Sequence, residues 1–262
     1  MNEKKTILIT GASSGIGYEL AKTAAKEGFN LVVAARSKDK LENLAGELQS
    51  LHQTETKVIA MDLAEPGSGT RLYDQLKTEN VIIDILVNNA GFADFGFFIE
   101  RDWEKERRMI NLNITTLTEL TKLFARDMVK RGEGKILNVA STAAFQPGPL
   151  MAVYYATKSY VLHFSEALSN ELKGTGVTIM TLCPGATISG FQETAEMKHS
   201  RLMKIMPFVS SEKVARYAFR VLMKNKTVAI PGLFNKMGVF SIRLIPRKMA
   251  TNMIRKMSDV SG

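Results

Sequence analysis

Apolar, β-branched runs of strand length recur at Thr6–Thr10, Asn30–Ala35, Lys57–Met61, Ile83–Asn88, Lys135–Ala140, Val177–Leu182 and Thr227–Ile230. They predict seven strands. Between them the apolar positions step by three and four, as at Leu41, Leu44, Ala45, Leu48 and Leu51, which places one apolar stripe along a helix. Strands apolar on both faces, alternating with such helices, predict a parallel sheet covered on both sides, because each right-handed crossover needs a helix. The expected class is α/β, a Rossmann-type doubly wound sheet. No repeat, low-complexity stretch or Pro/Gly-rich linker divides the chain, so residues 1–262 are expected to form one domain. The Met-rich stretch Ser189–Ser211 breaks the alternation and is expected to be a substrate lid.

Composition adds limits to this picture. Cys183 is the single cysteine, so no intramolecular disulfide is possible, and His52, His163 and His199 are scattered without metal-ligand spacing. A metal-free protein is expected. The apolar run Ile7–Ile9 is far too short for a signal peptide, and no run reaches membrane-spanning length, so a cytoplasmic location is expected. The formal charge is +9, but residues 224–257 hold eight basic side chains and no acid. With Asp259 that tail carries +7, which leaves +2 on the first 223 residues. A nearly neutral body and a tail without a recognised reading motif argue against nucleic acid. Residues 233–262 mix Phe234, Met237, Val239, Phe240, Ile242, Leu244 and Ile245 with Lys236, Arg243, Arg247 and Lys248, and Pro246 breaks any single long helix. This basic amphipathic extension suits peripheral contact with an anionic membrane, a partner helix, or a charged face over a core-packed helix.

Chemistry enters at Thr10-Gly11-Ala12-Ser13-Ser14-Gly15-Ile16-Gly17, which follows the first strand and opens a helix. That is the context a dinucleotide fingerprint requires, although the spacing differs from GxGxxG. Gly11 permits the tight turn, Gly15 keeps a side chain away from the pyrophosphate and Gly17 lets helix and strand pack closely. Ser13 and Ser14 offer hydroxyls, Ile16 anchors the turn, and the phosphates are expected at the helix N-terminus. At the end of the second strand, where an acid would bind the ribose of NAD, stands Arg36, followed by Ser37 and Lys38. A guanidinium suits a 2′-phosphate, so the expected cofactor is NADP(H).

Three more segments join that turn: Asn88-Asn89-Ala90-Gly91 after the fourth strand, Ser141 after the fifth, and Tyr154-Tyr155-Ala156-Thr157-Lys158 opening a helix. In order and spacing, residues 5 to 190 resemble the short-chain dehydrogenase/reductase superfamily. The tail carries a weaker likeness to its 3-oxoacyl reductase and steroid dehydrogenase-like branch. The resemblance implies Tyr154, four residues before Lys158, as general acid/base. Lys158 would lower the tyrosine pKa and hold the nicotinamide ribose, and Ser141 would polarise the carbonyl. Asn113 would keep a proton-relay water, with Asn111 as the fallback. It further implies adenine contacts at Asp62 and Leu63, cofactor contacts at Asn89, Ala90 and Gly91, and a nicotinamide turn at Pro184 and Gly185 with Thr187 and Ile188 beside the carboxamide. The implied reaction is hydride transfer between nicotinamide and a carbonyl or alcohol. Its rivals are a catalytically silent dinucleotide-sensing regulator and an NAD-dependent alcohol dehydrogenase. Substrate choice is expected from Phe92–Phe98, Ala143–Val153 and the lid, where Phe92, Phe95, Phe97, Phe98, Phe145, Met151, Phe191, Met197, Leu202 and Met206 suggest a hydrophobic substrate. A homodimer or homotetramer, built on helices near Trp103–Lys130 and Ala152–Lys173, is also implied.

Overall fold

The computed structural model describes residues 4–188 and 208–258. Seven strands form one parallel sheet in the order β3-β2-β1-β4-β5-β6-β9. They are β1 (Thr6–Thr10), β2 (Asn30–Ala35), β3 (Thr56–Ala60), β4 (Ile85–Asn88), β5 (Gly134–Val139), β6 (Val177–Leu182) and β9 (Val228–Ala229). A separate two-stranded parallel ribbon joins β7 (Thr187–Ile188) to β8 (Val209–Ser210).

The strands read as continuous apolar runs because both faces are covered. Ile7 and Ile9 of β1 pack with the helices α1 (Gly15–Lys26), α2 (Lys38–His52) and α7 (Ser211–Met223), while Leu8 joins the opposite layer of α3 (Ser68–Thr78) and α5 (Leu117–Arg131). The stripe expected on α2 holds through Leu41, Leu44 and Leu48, but Leu51 is 63% exposed. The helix ends one residue later, at His52.

Chain order reverses between β1 and β4, so the ends of these two strands open the crevice where doubly wound sheets bind ligands. Helix α4 (Trp103–Ile110) runs into α5 through a widened π turn, Asn111–Thr116. Two further helices beside the crevice are α6 (Ala152–Glu171) and, after α8 (Leu233–Ile242), α9 (Arg247–Ser258).

Candidate active site

The turn after β1 is built from its glycines outward. Gly11 (φ +68°) and Gly15 (φ +59°) occupy the left-handed region, which a side chain disfavours. Ser14 caps α1 in an extended conformation with no side-chain cap bond, and the first turn carries no acid. The leading amides of α1 are therefore suited to an anion. Gly17 lies buried beneath the turn, where a Cβ would overlap the Gly11 carbonyl oxygen and the Asn89 amide. From the neighbouring strand, Asn89 Nδ2 donates to the carbonyls of Thr10 (2.9 Å) and Gly11 (3.2 Å). The Thr10 hydroxyl accepts from the amides of Asn89 and Ala90, both at 3.0 Å.

A cleft of about 410 Å³ runs from this turn across the strand ends. Arg36 and Ser37 flank one end, beside Asp62 and Leu63. Arg36 is exposed and has no ion pair among the described residues. Burial would raise the Asp62 carboxyl, but the Ala64 amide (2.9 Å) and the Arg108 guanidinium (2.6 Å) outweigh it and hold the pKa below the usual carboxylate range.

At the other end the cleft meets Ser141, Tyr154 and Lys158. Ser141 follows β5; its hydroxyl accepts from the Ala143 amide (3.1 Å), and its hydrogen bond to Tyr154 favours the phenolate. Burial is the larger influence and raises the Tyr154 pKa well above that of a free tyrosine. Lys158, one helical turn on and 5% exposed, donates to the Val139 carbonyl at 2.9 Å, with Nζ 5.8 Å from the Tyr154 ring centre. Burial pulls its pKa down to about 8. The lowering contact on Tyr154 is thus the serine, with the lysine turned to a backbone carbonyl. Tyr155 packs edge-on against Tyr154 at 6.1 Å, and burial pushes its phenol up to about 12. Burial likewise pushes the Cys183 thiol up to about 12, so it is a poor nucleophile.

Asn113 sits in the π turn, fully buried behind Gly91. Its Nδ2 donates to the Phe92 carbonyl (3.0 Å) and the Thr157 hydroxyl (3.1 Å), and its Oδ1 accepts from the Phe92 amide (3.3 Å). A Cβ on Gly91 would stand 2.9 Å from Asn113 Oδ1 and 3.4 Å from Lys158 Nζ. The fallback Asn111 instead donates to the Ala64 carbonyl at 2.8 Å, away from Lys158.

Most of the residues named from sequence line the cleft: Gly11, Ser13, Ser14, Gly15, Ile16, Asn89, Ala90, Gly91, Pro184, Gly185 and Thr187 join those above. Three do not. Gly17 and Asn113 lie behind its wall, and Ile188 turns outward, 62% exposed, on the β7 ribbon. Of the expected substrate contacts, Phe92 and Met151 line the cleft, Phe95 packs against its apolar wall, and Phe97 and Phe98 are exposed. Phe145 packs behind Ala144 in a separate cluster. The lid residues Ser189, Phe191, Met197, Leu202 and Met206 lie outside the described residues, while Ser210 and Ser211 belong to the β8–α7 junction.

Sequence reasoning missed Ile254 and Met257 of α9, which line the cleft from the far end of the chain. It also missed Asp94, whose buried carboxylate takes Arg101 and Lys105, each at 2.7 Å, and pins the loop at the mouth. A lone acid among aromatics was the available signal for Asp94. No spacing rule marks a helix that folds back from about a hundred residues away.

Fold and cleft together define a doubly wound protein shaped to hold a dinucleotide against a Ser–Tyr–Lys cluster. The family model for short chain dehydrogenases matches residues 5–199, and the chain belongs to this family. It is 37% identical over 183 residues to a very-long-chain 3-oxoacyl-CoA reductase of Anas platyrhynchos, a match covering 68% of this chain and 58% of the relative. The matched stretch therefore spans less than two thirds of that reductase. Among solved structures, a short-chain dehydrogenase from Sphingobium yanoikuyae in complex with NADPH superposes with a TM-score of 0.82 at 30% identity, covering 98% of both chains. A 7beta-hydroxysteroid dehydrogenase superposes with a TM-score of 0.85 at 28% identity, covering 97% of this chain and 96% of that one.

Proposed function

We propose that this protein is an NADP(H)-dependent oxidoreductase acting between a carbonyl and an alcohol on a hydrophobic substrate of 3-oxoacyl, steroid-like or bulky ketone or aldehyde type. The observation that carries the reading is the convergence of Ser141, Tyr154 and Lys158 on one end of a cleft whose other end presents the exposed Arg36. The residues fit the cofactor: a glycine turn without acids opens a helix, and the exposed guanidinium stands where a 2′-phosphate would need it. Relatives described as a 3-oxoacyl-CoA reductase and a 7beta-hydroxysteroid dehydrogenase, and a structural neighbour in complex with NADPH, support the same class.

Bound nicotinamide supplies the hydride in reduction and takes it in oxidation. Tyr154 gives its phenolic proton to the carbonyl oxygen as charge develops there, and Ser141 stabilises that oxygen with a second hydrogen bond. The Lys158 ammonium, near the Tyr154 ring, opposes the burial cost of the phenolate left behind. Asn113 braces Phe92 and Thr157, and beside Gly91 it neighbours Lys158, where a water would connect the lysine to the proton supply. Phe92, Met151, Ile254 and Met257 provide the apolar wall for the substrate. The protein assembles as a dimer or tetramer through α4–α5 and α6, where Val129 and Tyr160 remain partly exposed.

Rates with NADPH and NADH across a panel of 3-oxoacyl thioesters, steroids and medium-chain aldehydes test the proposal. NADPH is expected to be preferred. Tyr154→Phe is expected to lose about 10²–10⁴-fold in turnover while still binding NADPH by fluorescence, and Tyr155→Phe to keep its activity. Full activity in Tyr154→Phe, or equal use of both cofactors, sinks the reading.

A further inference from the structure

Helix α8 is inside out for a surface in water. Leu233, Phe234, Met237 and Phe240 are 63–74% exposed, while Val239 is the helix's one buried residue. Positions 233, 237 and 240 fall on one stripe, which Leu244 extends into the following turn at 71% exposure. An apolar stripe of this kind, turned outward, marks a contact surface.

The charges around it say what it contacts. Lys236 and Arg243 lie along one edge of the stripe, and Arg247 and Lys248 open α9; none has an ion pair among the described residues. Residues 224–257 contain no acid to neutralise them. A second copy meeting this face across a two-fold axis would set these cations against their own counterparts. A layer of acidic lipid headgroups instead offers anions to the cations and hydrocarbon to the stripe.

We propose that α8 and the start of α9 dock this protein on membrane surfaces rich in anionic lipid. Ten residues make a helix of about 15 Å, too short to span a bilayer and suited to lying in its interface. Helix α9 also exposes apolar side chains, with Met249 and Met253 outward while Ala250 and Ile254 are buried. Ile254 and Met257 of the same helix line the cleft. Its Arg255 lies over the Phe97 ring at 4.8 Å, which ties α9 to the loop carrying the exposed Phe98 and Ile99.

Sedimentation of the full chain with vesicles of phosphatidylcholine alone, and of phosphatidylcholine with 30% phosphatidylserine, tests this. Binding is expected to the mixed vesicles only and to weaken in 0.5 M salt. The double variant Phe234→Ser/Phe240→Ser and the double variant Lys236→Gln/Lys248→Gln are each expected to bind at least about ten-fold less tightly, with thermal midpoints close to that of the parent. Absence of binding, binding unaffected by both variants, or a parent dimer that Phe234→Ser/Phe240→Ser splits into monomers overturns it.

Discussion

At Lys158 two demands conflict. The proposed chemistry needs its ammonium, yet burial pulls the pKa from lysine's usual 10.5 to about 8. Activity and stability should therefore respond oppositely to pH. The reduction rate is expected to fall as pH rises through about 8, because the charge that supports the Tyr154 phenolate is lost. Between about 8 and 10.5 an unfolded Lys158 binds a proton that the folded one does not, so this group makes the fold more stable as pH rises there. Below 8 the full cost of burying the ammonium is present. Tyr154, raised by burial, acts in the opposite sense only above pH 10. Parallel pH series of kcat/KM and of thermal midpoint in wild type and Lys158→Met separate these contributions. A rate that stays flat from pH 7 to 9.5 contradicts the assigned role. The pair Tyr154 and Lys158 was legible through the family resemblance, which puts the tyrosine one helical turn before the lysine. The rest of the neighbourhood was less so: Asn113 sits in a π turn at Asn111–Thr116, where the resemblance favoured it over the fallback Asn111, and the fold puts Asn113 beside Gly91 and Lys158.

Between elements, the glycine turn is held by a clasp from β4. The Thr10 hydroxyl accepts from two amides, of Asn89 and Ala90, and donates to the Val87 carbonyl at 3.2 Å. Thr10→Val keeps the shape of the buried side chain but leaves the Ala90 amide without its acceptor, while the Asn89 amide keeps the Val87 carbonyl at 3.1 Å, at a cost of about 1–3 kcal/mol for the group left without a partner. The expected result is a thermal midpoint lowered by several degrees and a weaker cofactor affinity, since the turn and the strap move together. A variant with wild-type midpoint and NADPH affinity would show that water replaces the hydroxyl without loss. The strands of the main sheet were legible to within two residues at each end, and β1, β2 and β6 to the residue, because burial on both faces leaves an unbroken apolar run. The β7–β8 ribbon was not, since two-residue strands leave no period to read. Helix α8 was legible in its amphipathic composition but not in its orientation, because periodicity gives a stripe and cannot say which way it faces.

For the molecule as a whole, the last described helix returns to the tyrosine end of the cleft. Ile254, 5% exposed, packs with Met151, Tyr154 and Tyr155, and half-buried Met257 joins the same cluster. The sheet thus supplies the cofactor end of the cleft from residues 10–90, while the apolar end is shared between segments near 92, 151 and 254. Closing that loop in sequence is slow to pay back in chain entropy, but it lets selectivity vary at the terminus without touching the glycine turn. Ile254→Ala is expected to destabilise the fold by about 2–5 kcal/mol, as for other buried large-to-small changes, so it alone would confuse folding with selectivity. Met257→Ala removes cleft lining from a less buried position and is expected to cost less. Its signature is a KM raised several-fold for bulky hydrophobic carbonyls, with the KM for a small aldehyde and for NADPH unchanged. Equal shifts for large and small substrates would make α9 a cover over the core, and the selectivity would then have to come from the Phe92 loop.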